Sequence, residues 1–349
     1  MNITEFTALA AEKVEQYLRE EMQVDVVVQT EEVRKINDQC LHGLSIEKKG
    51  APFKGDAVPT YYLEEMHHAF LRGADMDDLV QGLAKAYTNT LNFGPIPAEE
   101  IPDMEYRTIR HRVGLRLVGM DYNKEFLKTV PYKDVGNGYA LLCDVQMKAS
   151  DGGLFGTLVT NEMAEEYHYD MDKLFRDALD NAWKSKSATL CGAGELMRMC
   201  AEGPGEAGEA GGYASEEAEP DDRETCYVLT TEMPRYGAAA LFYPGTQAMI
   251  AHVLGEDYVA IPSSLHEFMI VRASQIEDPG FLQQLVREAN CTVVGPDEVL
   301  SDNILKYSRD TGQLSLLTED DVFPACVKDR VMQELSGQTR GVPASAGLS

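Results

Sequence analysis

The most informative part of this chain is the stretch RYGAAALFYPGTQAMIAHVLGEDYVAIPSSLHEFMIVR, residues 235–272. Its pattern predicts a strand, a turn, a helix, and then two strands joined by a second turn. That second turn collects most of the polar residues, namely Ser263, Ser264, His266 and Glu267. Elsewhere helical patterns and hairpins alternate. This favours an α+β protein with mixed sheets and packed amphipathic helices over a doubly wound parallel fold.

The composition describes an acidic chain with enough apolar residues to form packed cores. The 349 residues are 44% hydrophobic and 26% charged, and 31 basic against 58 acidic residues give a formal charge of −27. This length is sufficient for two domains. A negative field repels phosphate backbones and anionic lipid surfaces, so we expect neither nucleic acid nor a membrane as a partner. The partner we expect is a protein or a small molecule.

A segment rich in glycine, alanine and glutamate divides the chain at 201–224. It offers almost nothing to bury, which is typical of a flexible linker or a surface insertion. We therefore expect two lobes joined by this acidic segment. The N-terminal lobe is an α+β region over 1–200, and the C-terminal lobe is an α/β region over 225–335. We expect the small, polar tail at 336–349 to be disordered.

The cysteines and the N-terminus indicate a cytoplasmic protein. The seven cysteines are scattered and form no C-x-x-C pair, whereas a disulfide framework or a zinc site needs clustered cysteines. We expect reduced thiols and no cofactor. Residues 1–21 are amphipathic and acidic, unlike a signal peptide, and no run of about 18 apolar residues is present to span a membrane.

Ser264, His266 and Glu267 are weak candidates for a catalytic site. Residues i and i+2 of a strand share a face, so the Ser264 hydroxyl would reach the His266 imidazole, as nucleophilic acyl transfer requires. Glu267 would point to the opposite face. A third member would then have to come from another segment, such as Glu298 or Asp302. We favour a structural interpretation, in which Ser264 and Glu267 form a capping box and His266 satisfies a buried loop carbonyl.

Two further groups of residues are weaker candidates for binding sites. Glu64 with His67, and Glu65 with His68, have the E-x-x-H spacing of carboxylate-bridged metal sites, but such sites need a second pair and two further glutamates on facing helices, and we find no second pair on a comparable helix. We expect no metal there.

Arg110, Arg112 and Arg116 form a basic run in an acidic chain. Guanidinium groups suit phosphate or carboxylate ligands. Our preferred interpretation is that these arginines offset the protein's own acids.

Five segments of the chain carry a family resemblance: Asn123–Pro131, Gly156–Asn161, Gly237–Pro244, Ile261–Glu267 and Glu298–Asp302. In order and spacing they resemble an uncharacterised domain-of-unknown-function family of clostridial gut bacteria, which is distantly similar to the YtpQ-like proteins. The resemblance extends from the first predicted helix to about residue 317, outside the acidic segment. It implies a bacterial, cytosolic context, and it brings no established activity or catalytic residue with it.

These observations together predict a soluble cytosolic binding or regulatory protein without catalysis, because no complete catalytic constellation is present. The alternative is a hydrolase-like enzyme that uses Ser264 and His266. The alternative predicts that both side chains point into one open cleft, with an acid from another segment behind the imidazole. A His266 that is buried and bonded only to backbone would exclude it.

Overall fold

A computed structural model describes residues 1–49, 60–93, 103–148, 154–185, 187–194, 225–232 and 235–323. The predicted linker at 201–224 and the predicted tail at 336–349 lie outside these residues, so the expected domain boundaries stay a prediction. The chain divides into two compact units. Unit 1 consists of Met1–Val113, Tyr122–Pro131 and Asp144–Leu174, and unit 2 consists of Gly114–Asp121, Tyr132–Cys143 and Phe175–Ser349.

The described residues form helices and antiparallel sheets, which confirms the α+β class. The expected mixed sheets are wrong, because the described strand pairs, many of them joined by short turns, run antiparallel. The helices are α1 (Ile3–Glu20), α2 (Glu64–Leu71), α3 (Met76–Phe93), α4 (Tyr106–Ile109), α5 (Asn161–Glu166), α6 (Met171–Ser185), α7 (Thr246–Leu254) and α8 (Pro279–Thr292). The strands are β1 (Val26–Arg34), β2 (Cys40–Lys48), β3 (Thr60–Tyr62), β4 (Val113–Gly119), β5 (Tyr132–Gly136), β6 (Tyr139–Lys148), β7 (Leu154–Leu158), β8 (Ala188–Gly192), β9 (Cys226–Thr231), β10 (Tyr258–Ser264), β11 (Glu267–Arg272), β12 (Leu305–Ser308) and β13 (Gln313–Leu316). None of the described helices combines the length and the apolar character needed to cross a membrane.

Unit 1 is built around the three-stranded sheet β1-β2-β3 and the helix α1. The spacing of Asn2 and Glu5 predicts a capping box, and this box starts α1. The buried side chains of α1 recur every four residues and form one apolar face. This face packs against residues of β1 and β2. Thr60, which follows Pro59, predicts a helix cap from the sequence, but it lies in β3 opposite Ser45, and α2 begins at Glu64. Its β-branched side chain suits the strand.

The turn between β1 and β2 is fixed by contacts that we name the hairpin joint, made of Asn37, Asp38 and Asn123. Asn37 and Asp38 both have left-handed backbones, with φ of 62° and 51°. The Asn37 amide donates to Asn123 Oδ1 at 2.7 Å, and Asn123 Nδ2 donates to Asn37 Oδ1 at 3.0 Å. The Asp38 carboxylate accepts from the Phe126 amide at 2.7 Å. Asn123 is 0% exposed, so this joint is part of the interior of unit 1.

Unit 2 contains a six-stranded sheet in the order β13-β12-β10-β11-β9-β8. One face carries Val259 and Ile261, which cluster with Val286 of α8 in a small core. On β11, Phe268 is fully buried, and the Tyr139 ring lies 6.1 Å from its ring. The turn sequence Asp310-Thr311-Gly312 predicts a hairpin, and this is confirmed, since β12 pairs with β13.

Two predicted strands of unit 2 are wrong. Gly237–Phe242 is a 3₁₀ helix, not the first strand of the quoted stretch. Its small residues let the backbone approach β9 and β11 closely, since a Cβ at Gly237 would lie 2.6 Å from the His266 carbonyl oxygen. The short apolar run Cys291–Val294 predicts a strand, but α8 extends to Thr292. The Val293 amide still donates to the Ala289 carbonyl at 2.8 Å, so the helical hydrogen bonding continues into this run.

Candidate functional site

The polar turn of the quoted stretch joins β10 to β11 in unit 2. The two strands are antiparallel, and their register shifts between Pro262 and Ser264. The Leu265 amide donates to the Glu298 carbonyl at 2.9 Å, which brings the segment before β12 alongside the turn. We use the name His266 corner for Tyr236, Ser264, His266 and Glu298, which meet at this point.

Both ring nitrogens of His266 face a defined group. The Tyr236 backbone amide donates to Nδ1 at 3.0 Å, and Nε2 lies 3.6 Å from Glu298 Oε1. A backbone amide is always a donor, so Nδ1 is an acceptor and the proton of the neutral ring is on Nε2. Among the contacts of the ring, the Glu298 carboxylate is the acid nearest to this nitrogen, at a separation longer than a hydrogen bond. The side chains are 31% and 52% exposed, respectively, so this acid–imidazole pair lies at the surface of unit 2.

The Ser264 hydroxyl is directed at the backbone. Its Oγ accepts from the His266 amide at 3.1 Å, which is the side-chain-to-backbone bond of a serine turn. The neighbouring Ser263 hydroxyl donates to Glu267 Oε1 at 3.2 Å. The three candidate residues are therefore adjacent. However, Ser264 is hydrogen-bonded to the backbone, and Glu267 is hydrogen-bonded to Ser263. Of the two acids proposed from other segments, Glu298 is the one near the imidazole.

Tyr236 is the residue of the corner that sequence reasoning missed. Its backbone is left-handed, with φ of 62°, which is uncommon for an aromatic residue and costs of order 1 kcal/mol or more. Its ring lies 5.6 Å from the His266 ring, and the Arg116 guanidinium carbon lies 3.9 Å above it. Arg116 is only 8% exposed. Tyrosine carries no sequence signal for a left-handed backbone, so the pattern offered no means of finding it.

The three arginines of the predicted anion site are divided between the units. Arg110 and Arg112 belong to unit 1, and Arg116 belongs to unit 2. The Arg110 guanidinium lies 5.9 Å from the Tyr106 ring, and Lys173 approaches the same ring at 4.4 Å. Arg112 is exposed. Each arginine therefore has its own environment, and the anion site stays a prediction.

His67 and Glu64 of α2 contact different partners. His67 Nε2 lies 3.1 Å from the Met1 carbonyl oxygen, and its ring lies 5.1 Å from that of Phe6. Glu64 Oε1 accepts from the His42 amide at 2.6 Å. Within the described ranges, no group of three or more His, Cys, Asp or Glu side chains is arranged to hold a metal ion.

Tyr139 supports the sheet beneath the corner. Its hydroxyl donates to the Asn303 carbonyl, and its ring packs against that of Phe268. Burial raises the pKa of Tyr139 above its ordinary value, so the phenol stays neutral and acts as a donor. This role is structural.

The corner contains two of the three members of a catalytic triad, an imidazole and a nearby carboxylate. In a triad, one imidazole nitrogen donates to a carboxylate and the other accepts the proton of a nucleophile. Here Nε2 faces Glu298, but the accepting position at Nδ1 is occupied by the Tyr236 amide instead of a hydroxyl. A backbone amide gives up no proton at neutral pH, so this contact orients the ring and fixes the turn.

Comparison with other proteins gives one result. Neither the curated proteins nor the solved structures contain a match to this chain. A family model does match residues 3–309, a range that includes all five segments carrying the resemblance and the whole His266 corner. The chain therefore belongs to the family of unknown function DUF5688.

Proposed function

We propose that this chain is a binding or regulatory protein without catalytic turnover, and that the His266 corner is part of its scaffold. The single observation that carries the proposal is the 3.0 Å bond from the Tyr236 amide to His266 Nδ1. A general base needs a free lone pair within reach of the proton that it removes. The lone pair of Nδ1 is already used by the backbone, and the hydroxyl of Ser264 accepts from another amide.

The cellular context is part of the same proposal. We place the protein in the cytoplasm of clostridial bacteria, as a distant relative of the YtpQ-like proteins, with a protein or a small molecule as its partner and no nucleic acid or membrane. The formal charge of −27 supports this choice of partner, because such a chain repels polyanions. The scattered cysteines support a reducing compartment.

A hydrolase-like enzyme is the second candidate, and the position of Glu298 is the observation that favours it. A carboxylate at 3.6 Å from the imidazole, contributed by a distant segment, is the partner that an active histidine would need. In that case the Tyr236 amide would have to release Nδ1 when a substrate binds.

The two candidates are separated by a turnover assay on the purified full chain. Ester, peptide and phosphoester substrates are tested with the wild type, with Ser264→Ala and with His266→Ala. We expect no turnover that depends on either residue. Hydrolysis that disappears in both variants contradicts the proposal.

Two variants control for loss of the fold in this assay. His266→Asn keeps a side-chain acceptor for the Tyr236 amide and so preserves the turn, but it removes the imidazole. Ser263→Ala removes a neighbouring hydroxyl that does not contact the imidazole. An enzyme would lose activity in His266→Asn and keep it in Ser263→Ala.

A further inference from the structure

A cleft of about 490 Å³ opens at the end of the six-stranded sheet of unit 2. We name it the end cleft. Its wall is formed by the turn before β10 with Glu256 and Asp257, by Ser274 after β11, by the β12–β13 turn with Arg309 and Asp310, and by Phe323. This volume lies in the range of sites for small molecules.

The acidic groups of the end cleft are held in place by their neighbours. The Arg309 backbone amide donates to Asp257 Oδ1 at 2.9 Å. Ser274 donates its amide and its hydroxyl to the two oxygens of Glu256, at 3.2 and 3.1 Å. The Arg309 guanidinium donates to the Gly255 carbonyl. These contacts position the carboxylates before any ligand arrives, which lowers the entropy cost of binding.

The charge of the end cleft favours a cation. Its lining contains three carboxylates, those of Glu256, Asp257 and Asp310, and one guanidinium, that of Arg309. Arg272 lies behind Glu256, with its Nε at 3.8 Å from Oε1. Even when Arg272 is included, acids outnumber bases by three to two.

One wall of the end cleft is apolar. Phe323 packs against the core cluster that contains Val259 and Val286, so its ring is anchored on one side and lines the cleft on the other. An aromatic ring attracts both hydrocarbon and a cation placed over its face. An inorganic cation would use only the carboxylates, whereas an organic cation would use the ring as well.

We propose that the end cleft binds a small organic cation, a primary ammonium or guanidinium group on a short hydrocarbon chain. The positive group would lie between Asp257 and Asp310, and the hydrocarbon would lie against Phe323. This inference rests on the proposed function of the chain as a binding protein, and it names the ligand class.

The probes for the test are n-pentylammonium and n-butylguanidinium, titrated into the full chain by calorimetry. The controls are 1-pentanol and pentanoate, which have the same hydrocarbon without the positive charge. We expect millimolar or tighter binding of the two cations, weakened by added salt, and no binding of the controls. Absence of cation binding, or equal binding of 1-pentanol, overturns the proposal.

Matched variants locate the site. Asp310 is exposed, and Asp310→Asn should weaken cation binding by about fivefold or more, because it removes one of the charges that face the ligand. Glu288→Gln removes the same charge from the exposed side of α8 and should leave the affinity unchanged. Equal effects of the two substitutions, or no effect of Asp310→Asn, overturn the assignment.

The outcome is independent of the turnover assay. Failure of cation binding would remove this ligand class and leave the structural role of His266 intact. Turnover that depends on His266 would refute the proposed function, whatever the end cleft binds.

Discussion

The hairpin joint of unit 1 and the His266 corner of unit 2 both hold a turn in place with polar side chains, but they differ in burial. In each, a non-glycine residue has a left-handed backbone, and polar side chains accept hydrogen bonds from backbone amides. The hairpin joint is enclosed, with Asn123 at 0% exposure. The His266 corner is partly open, with the imidazole at 31% exposure beside a carboxylate.

The difference shows why polar residues alone do not identify an active site. Asn37 and Asn123 are buried away from water, so water cannot replace a hydrogen bond that the pair loses. Their hydrogen bonds therefore contribute strongly to local stability. When a partly exposed imidazole loses a hydrogen bond, water can replace the partner, so the free-energy cost is lower. A surface histidine with polar neighbours also resembles a functional site, even when its hydrogen bonds are structural. We therefore expect substitutions at the buried joint to lower the unfolding free energy more than substitutions of the exposed polar groups at the corner.

The largest effect is expected from Gly237→Ala at the His266 corner. The new Cβ would lie 2.3 Å from Thr230 Oγ1 and 2.6 Å from the His266 carbonyl oxygen, so the backbone must move. We expect a loss of about 3 kcal/mol in the free energy of unfolding, measured by urea denaturation. Gly82→Ala in α3 is the control, since nothing lies within 4 Å of its Cβ, and it should stabilise slightly. Equal behaviour of the two variants would show that the corner is loosely packed.

Asn123→Ala should have the next largest effect. It removes the two hydrogen bonds that Asn123 makes with the buried Asn37, which should cost about 2 kcal/mol of unfolding free energy. The comparison is Gln16→Ala on the exposed side of α1, for which we expect a change within about 0.5 kcal/mol. If Asn123→Ala proves as mild as Gln16→Ala, the enclosed joint does not depend on these hydrogen bonds.

Ser264→Ala should cost about half as much, roughly 1 kcal/mol, because it removes the acceptor of the His266 amide at a partly exposed position. Thermal unfolding of this variant beside Ser263→Ala measures the effect. A loss as large as that of Asn123→Ala would abolish the distinction between the two regions.

The smallest effect is expected from Glu298→Gln. Its carboxylate is 52% exposed and faces Nε2 at 3.6 Å, so the pair should contribute no more than about 0.5 kcal/mol. Denaturation at low and at high salt checks this value. A loss well above 1 kcal/mol at both salt concentrations would mean that the acid–imidazole pair is a principal support of the corner.

The sequence predicted most of the helices and hairpins because their signals are local. The capping box at Asn2, the cap at Asp278 and the hairpin around Asp310 each depend on residues a few positions apart. The 3₁₀ helix at Gly237–Phe242 was missed because its conformation depends on close packing against β9 and β11, which are contacts between distant segments.

The candidate site was predicted in part for the same reason. Its residues Ser264 and His266 were visible as a polar turn, and Glu298 was named as a possible third member. Their hydrogen-bond directions depend on Tyr236, whose left-handed backbone places its amide against Nδ1. The five segments that carry the family resemblance include Asn123, Gly237, His266 and Glu298. Asn123 is part of the hairpin joint in unit 1, and His266 and Glu298 are part of the His266 corner in unit 2.

The most direct test of the structural role of His266 is the protonation state of its two ring nitrogens, measured by NMR on the full chain with ¹⁵N-labelled histidine. The account predicts a protonated Nε2, an unprotonated Nδ1, and a scalar coupling across the hydrogen bond from the Tyr236 amide to Nδ1 at neutral pH. A protonated Nδ1, or an Nδ1 coupled to the Ser264 hydroxyl in place of the Tyr236 amide, would contradict it.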